Sequence, residues 1–116
     1  MEDLNEWVEK LKESKKIVIV EGKKDKKALE DLGVESVFAL DKSPLYKVIE
    51  HIADHHKDCV LLVDLDKEGK KLFAKLNSGL SERGVRVDKR FREFLFNETK
   101  LRQIEGIRRY FERNIC

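Results

Sequence analysis

Five apolar residues in a row, Cys59-Val60-Leu61-Leu62-Val63, stop abruptly at Asp64-Leu65-Asp66-Lys67-Glu68-Gly69. An unbroken, partly β-branched run of that length is the pattern of a strand buried on both faces. Such a strand needs helices above and below it, which confines the chain to α/β architectures. The turn after the run places two aspartates one residue apart at the strand's carboxyl end, where doubly wound folds bind ligands. Two such carboxylates can offer oxygens to one divalent cation. Mg²⁺ is typically held by one or two protein carboxylates, with water and substrate phosphate completing its shell.

A second buried run, Ile17-Val18-Ile19-Val20, ends in Glu21-Gly22-Lys23-Lys24-Asp25 about forty residues upstream. That separation fits strand-helix-strand-helix-strand, which makes the two runs the first and third strands. In the order 2-1-3-4 they are neighbours, and the gap between them is the topological switch point. Glu21, Asp64 and Asp66 are then expected to face one another across that crevice.

At 116 residues the chain is expected to form one domain, 1–116, with a core over about 16–87, a covering helix over 2–14 and a basic helical tail over 88–116. Charged residues make up 41% of it, mostly Lys and Glu, a composition that leans toward a thermophile. All eight arginines lie at or after Arg83, and from there to Cys116 ten basic residues face five acidic ones. Arginine suits bidentate phosphate contacts, so the tail is a candidate nucleic-acid surface, with Arg108 and Arg109 as contacts; the alternative is a solvated face. Cys59 and Cys116 have no metal-binding spacing. Without a signal peptide or an apolar stretch of membrane length, a soluble, cytoplasmic protein is expected.

In chain order, Leu4, Trp7, Val8 and Leu11 form one stripe of a first helix. A second helix runs from Lys23 to Leu32, with Gly33 as its left-handed cap. Val37–Leu40 is the second strand, and Ser43 and Pro44 are the N-cap and first residue of the third helix. His51 and His55, one turn apart there, could share a metal. No further ligand completes the set, and with His56 they suit a solvated helix end. The fourth helix is expected over Gly69–Arg83 and an edge strand over Val85–Val87. Phe91, Phe94 and Leu95 mark a short helix. Thr99, with Gln103 four residues on, caps a last amphipathic helix through Ile104, Ile107, Tyr110 and Phe111. The whole reads βαβαβαβ with flanking helices.

Ile-Val-Ile-Val-Glu21-Gly22-x-x-Asp25, followed by Leu-Leu-Val-Asp64-x-Asp66-x-x-Gly69, resembles the Toprim domain. That domain is shared by type IA and type II topoisomerases, bacterial primases, overcoming-lysogenization-defect nucleases and the small maturases of 5S ribosomal RNA. The resemblance covers roughly Lys16 to Val87, and its first motif is most similar to the maturase-like, stand-alone members. It implies a Rossmann-like, mainly parallel four-stranded sheet with helices on both faces.

The resemblance also implies roles. Glu21 corresponds to the family's general acid or base, or a metal ligand, and Asp64 and Asp66 to the pair that holds Mg²⁺ (Mn²⁺ is possible). Gly22 and Gly69 correspond to turn glycines, one admitting a phosphate to the backbone and one opening a helix whose N-terminus favours an anion. Lys23, Lys67 and Lys70 flank the acids as candidate phosphate contacts. Asp25 belongs to the motif but equally suits a helix first turn.

The turn Leu40-Asp41-Lys42-Ser43-Pro44 departs from the family by lacking a glycine. Strand passage and primer synthesis are not expected, because Tyr46 and Tyr110 read as packing residues and no polymerising lobe is present. Receiver domains need an acid pair after the first strand, and haloacid-dehalogenase phosphatases carry Asp-x-Asp there; neither pattern fits. Two functions stay open: a small Mg²⁺-dependent nuclease acting on RNA or DNA, or a metal- and nucleic-acid-binding module that needs a protein partner to react.

Overall fold

The computed structural model describes residues 3–99, 101, 102 and 104–107. Helix α1 (Leu4–Ser14) leads into strand β1 (Ile17–Val20), followed by α2 (Lys23–Asp31), β2 (Val37–Ala39), α3 (Leu45–His55) and β3 (Asp58–Leu61). Then come α4 (Lys67–Glu82), β4 (Arg86–Asp88), α5 (Arg90–Glu98) and a 3-10 turn over Ile104–Gly106. The four strands pair in the order β2-β1-β3-β4, and every pairing is parallel. The expected order 2-1-3-4 and the helices on both faces are present. β1 and β3 are neighbours, so their carboxyl ends share one crevice.

Strand periodicity divides the core. Val18 and Val20 point to one side with Val37, Val60 and Leu62, where α1, α2 and α5 cover them. Ile19, Cys59, Leu61 and Val63 point to the other, under α3 and α4. A residue step of two sends neighbouring side chains to opposite faces, so each central strand feeds both layers. The buried cluster is not confined to residues 16–87. Phe91, Leu95 and Phe96 of α5, with Ile104 and Ile107, belong to the same layer as Trp7 of α1. The Trp7 indole also donates to the Phe91 carbonyl at 2.8 Å, tying the first helix to the last.

Several boundaries differ from the sequence reading for local reasons. α4 begins at Lys67, two residues before Gly69, because Asp66 is its N-cap and accepts from the Gly69 N–H. Pro44, not Ser43, is the N-cap of α3, and no side chain caps that end. Thr99 closes α5 instead of opening a new helix: it is the C-cap, and its hydroxyl donates to the Leu95 carbonyl and accepts from Leu101 N–H. Gln103, Arg108, Arg109, Tyr110, Phe111 and Cys116 lie outside the described residues. Gly33 takes its expected left-handed conformation, with φ of 94°.

Candidate functional site

Both central strands end in carboxylates, and hydrogen bonding joins the two ends. Oε1 of Glu21, one residue past β1, accepts from the Asp64 backbone N–H at 2.9 Å. Asp64 follows β3 by three residues and is only 9% exposed; its Oδ1 accepts from Ile104 N–H at 2.7 Å. Asp66 is exposed, and its Oδ1 accepts from Gly69 N–H at 2.7 Å. Asp25 is buried and accepts from Gly22 N–H at 3.0 Å, the first-turn role open to it from sequence. Glu21 thus holds the backbone that presents Asp64, and Asp25 holds the turn that presents Glu21.

Gly69 has a tighter task than opening a helix. A Cβ there would lie 2.0 Å from the Asp64 carbonyl oxygen and 2.9 Å from Glu21 Oε1. The α4 backbone therefore packs directly on the strand end, which only glycine permits. Gly22 differs: an added Cβ would meet only Asp25 Oδ2, at 3.7 Å. Apart from its chain neighbours, no other atom of the described residues comes within 4 Å of that position.

The acids sit among like charges. Burial pushes Glu21 above the usual carboxylate range, against the bond from Asp64 N–H, and the charges of Asp66, Asp25 and Glu68 add to the rise. Burial likewise lifts Asp64 to about 6, opposed by the Ile104 N–H and reinforced by Asp25, Glu21 and Asp66. No ion pair reaches Glu21, Asp64 or Asp66 from a described Lys, Arg or His. The nearest fixed cation is Arg92, whose guanidinium donates to the Val63 and Asp64 carbonyls at 3.0 and 3.1 Å. It lies over the Phe73 and Phe96 rings. Arg92 thus braces the backbone, and its charge acts on Asp64 and Glu21 without forming an ion pair with either.

A hollow of about 470 Å³ opens beside Glu21, lined by Gly22, Asp25, Asp41, Lys42, Ser43 and Glu68 among others. Its far wall is the turn that lacks a glycine. Asp41 and Lys42 nevertheless take left-handed backbone conformations, with φ of 45° and 64°, a geometry L residues adopt at a cost. Lys23, one of the expected phosphate contacts, pairs with Asp41 at 3.3 Å; Lys67 and Lys70 are exposed. Tyr46 is not a packing residue but 60% exposed.

The structure thus joins Glu21 to Asp64 and places Gly22 and Asp25 on the same hollow, with Asp66 on the adjoining helix cap. Arg92, Asp41, Lys42 and the segment around Ile104 were missed in the sequence. A lone arginine among the phenylalanines of a short helix was the available signal for the first.

The donor chemistry suits a hard divalent cation. All donors are carboxylate oxygens, and each of Glu21, Asp64 and Asp66 has a second oxygen with no hydrogen bond to described residues. Among the described residues no group of three or more His, Cys, Asp or Glu side chains is placed to hold a metal ion together. An ion that keeps its waters and needs one or two carboxylates fits this arrangement. His51 and His55 stack at 4.6 Å on an exposed stretch of α3, away from the acids.

A parallel α/β sheet with paired acids at the carboxyl ends of its two central strands defines a phosphate-directed, metal-dependent class of domain. The chain belongs to the Toprim family: residues 15–90 match the Toprim domain. Among similar proteins, a UPF0292 protein of Methanocaldococcus jannaschii is 32% identical over 98% of this chain and 94% of its own length. A UPF0292 protein of Thermococcus sibiricus is 36% identical over 90% of this chain and 82% of its own. These relatives come from thermophilic archaea, in keeping with the charge-rich composition. A solved structure from Aquifex aeolicus superposes with a TM-score of 0.85 at 32% identity, covering 91% of this chain and 99% of that one. Membership carries metal-dependent nucleic-acid chemistry as the class of activity. No helix among the described residues is long and apolar enough to cross a membrane.

Proposed function

We propose that this chain is a small Toprim nuclease, akin to the stand-alone 5S ribosomal RNA maturases, that hydrolyses phosphodiesters of RNA or DNA with Mg²⁺ or Mn²⁺ in the cytoplasm. The observation that carries this reading is the contact of Glu21 with the Asp64 backbone, which gathers unneutralised acids from both central strands at one sheet end. Asp64 and Asp66, with Glu21, would hold the cation. When bound, the ion supplies Lewis-acid stabilisation of charge developing on phosphate oxygens.

Glu21 has a raised proton affinity and lines the open hollow, which suits a general acid or base. Gly22 leaves room for a phosphate to approach the backbone, and Lys67 and Lys70 supply positive charge beside the acids. Gly69 sets the close approach of α4, and Asp25 fixes the turn at Gly22. Arg108 and Arg109 extend the basic surface in this reading.

One observation favours the second reading, a binding module that needs a protein partner. Asp64 is almost fully buried, with one oxygen already held by Ile104 N–H. A partner that shifts the 101–107 segment would free it.

A cleavage assay on structured RNA and single-stranded DNA separates the two. Mg²⁺-dependent cleavage lost in Asp64→Asn/Asp66→Asn and in Glu21→Gln supports the nuclease. Metal-dependent binding without cleavage supports the module, and full activity of Glu21→Gln refutes the acid-base assignment.

A further inference from the structure

Building on the nucleic-acid reading above, we propose that Lys67, Lys71 and Lys75 of α4, flanked by Tyr46, form a track along which a single nucleic-acid strand leaves the acidic hollow. The three lysines recur every fourth residue, so they share one helix face and climb about 6 Å per step. The stripe is about 12 Å long. All three are exposed.

The stripe forms no ion pair with described residues, a condition it shares with lysines such as Lys57 and Lys70; what distinguishes it is its spacing and its place on α4. Between Glu68 and Glu82 the α4 sequence contains no acid at all. Nor does helix stability explain the placement. Cations favour a helix C-terminus, yet these lysines fall in the first nine residues of α4 and its last turn carries no basic residue.

The stripe is continuous with the site. A second hollow, of about 420 Å³, lies over Lys67, Lys71 and Lys75 and is also lined by Glu68 and Leu72. Those two residues also line the acidic hollow, so a strand crossing them passes from one to the other. Tyr46 stands in the first turn of α3, next to Leu45 of that same wall. It is the exposed large apolar side chain among the described residues. An exposed ring one residue from that wall, with a row of ammonium groups on the helix that supplies Leu72 to it, offers the two elements used to hold single strands, bases stacking on the ring while the backbone follows the charge. A duplex keeps its base faces stacked and gains only the charge.

The test is fluorescence anisotropy of labelled oligouridine and oligothymidine with Mg²⁺, in a Glu21→Gln background that binds without cutting. Lys71→Ala/Lys75→Ala should weaken binding about tenfold and lower the salt slope by about 1.4. Lys10→Ala/Lys57→Ala removes equal charge elsewhere and should change affinity less than twofold. Tyr46→Ala should cost about fivefold on single strands and nothing on duplex. Equal losses in both lysine pairs, or no loss in either, overturn the track. If the wild-type protein cleaves with metal while the stripe variants bind normally, the track alone falls; no strand binding at all removes both the track and the nuclease reading.

Discussion

Two aspartates of this molecule are treated in opposite ways. Asp88, at the end of β4, accepts from the Lys16 ammonium at 3.0 Å and from the Arg90 guanidinium at 3.1 and 2.9 Å. Those bonds, Arg90 first, hold its carboxyl far below the usual range. Asp64, at the end of β3, forms no ion pair with described residues and rises to about 6. Its carboxylate accepts from a backbone N–H and lies among three other acids, and the charge of Arg92 acts on it without an ion pair. Both side chains are largely shielded from water. The fold therefore has the means to pair a buried acid with cations at the sheet edge, and it does not do so at the crevice. An acid left unneutralised beside other acids costs stability, and a bound cation would offset that cost. The contrast separates Asp64, Glu21 and Asp66, the proposed cation ligands, from Asp88, which is held by ion pairs.

The largest expected effect comes from closing the crevice sterically. Gly69→Ala drives a Cβ into the Asp64 carbonyl, and because backbone cannot yield as a side chain can, a loss of about 2–4 kcal/mol is expected. Urea denaturation measures it. A loss under ~0.5 kcal/mol would mean the strand end and α4 are not locked together.

The two aspartates should respond to pH with opposite signs. The depressed Asp88 contributes stability that is present above the ordinary aspartate value of 3.8 and is lost as pH falls below it. Asp88→Asn should therefore lower stability by about 1 kcal/mol at pH 7, with the deficit fading in acid. Asp64 behaves in reverse. Its raised proton affinity favours the fold below pH 3.8, and that contribution is lost as pH rises through about 6. Metal-free Asp64→Asn should then melt higher than wild type at pH 8 by a few degrees and gain nothing near pH 4. Thermal melts of both variants across pH check the pair; parallel curves would erase the distinction between them.

The smallest effect concerns the turn opposite Glu21. Lys42→Gly removes a side chain from a left-handed position while loosening the unfolded chain, so stability should change by only about 0.5 kcal/mol, upward if strain dominates. Activity should fall more than stability if Lys42 contributes to holding substrate.

Much of this contrast was legible in the sequence at one end and hidden at the other. The runs Ile17–Val20 and Cys59–Val63 with their terminal acids are local signals, and strand pairing brings them together once the order 2-1-3-4 is accepted. Helix faces followed from periodicity, as with Leu76 and Leu80 under the sheet. Cap positions shifted by a residue or two because side-chain capping by Asp66 and its absence at Pro44 are decided by geometry. The contacts of Ile104 with Asp64, and of Arg92 with the Val63 carbonyl, join residues 40 and 29 positions apart. No local pattern encodes them. Gly69 was singled out as a turn glycine at a helix start, whereas the constraint visible in the structure is a contact with another segment.

The central claim is that the unneutralised acids at the β1 and β3 ends form a cation site. Calorimetric titration of Mn²⁺ into the metal-free protein at pH 8, beside Asp64→Asn/Asp66→Asn and Asp88→Asn, tests it most directly. The account predicts saturable binding by wild type and Asp88→Asn, and none by the double variant. Equal binding by the double variant, or loss of binding only in Asp88→Asn, would contradict it.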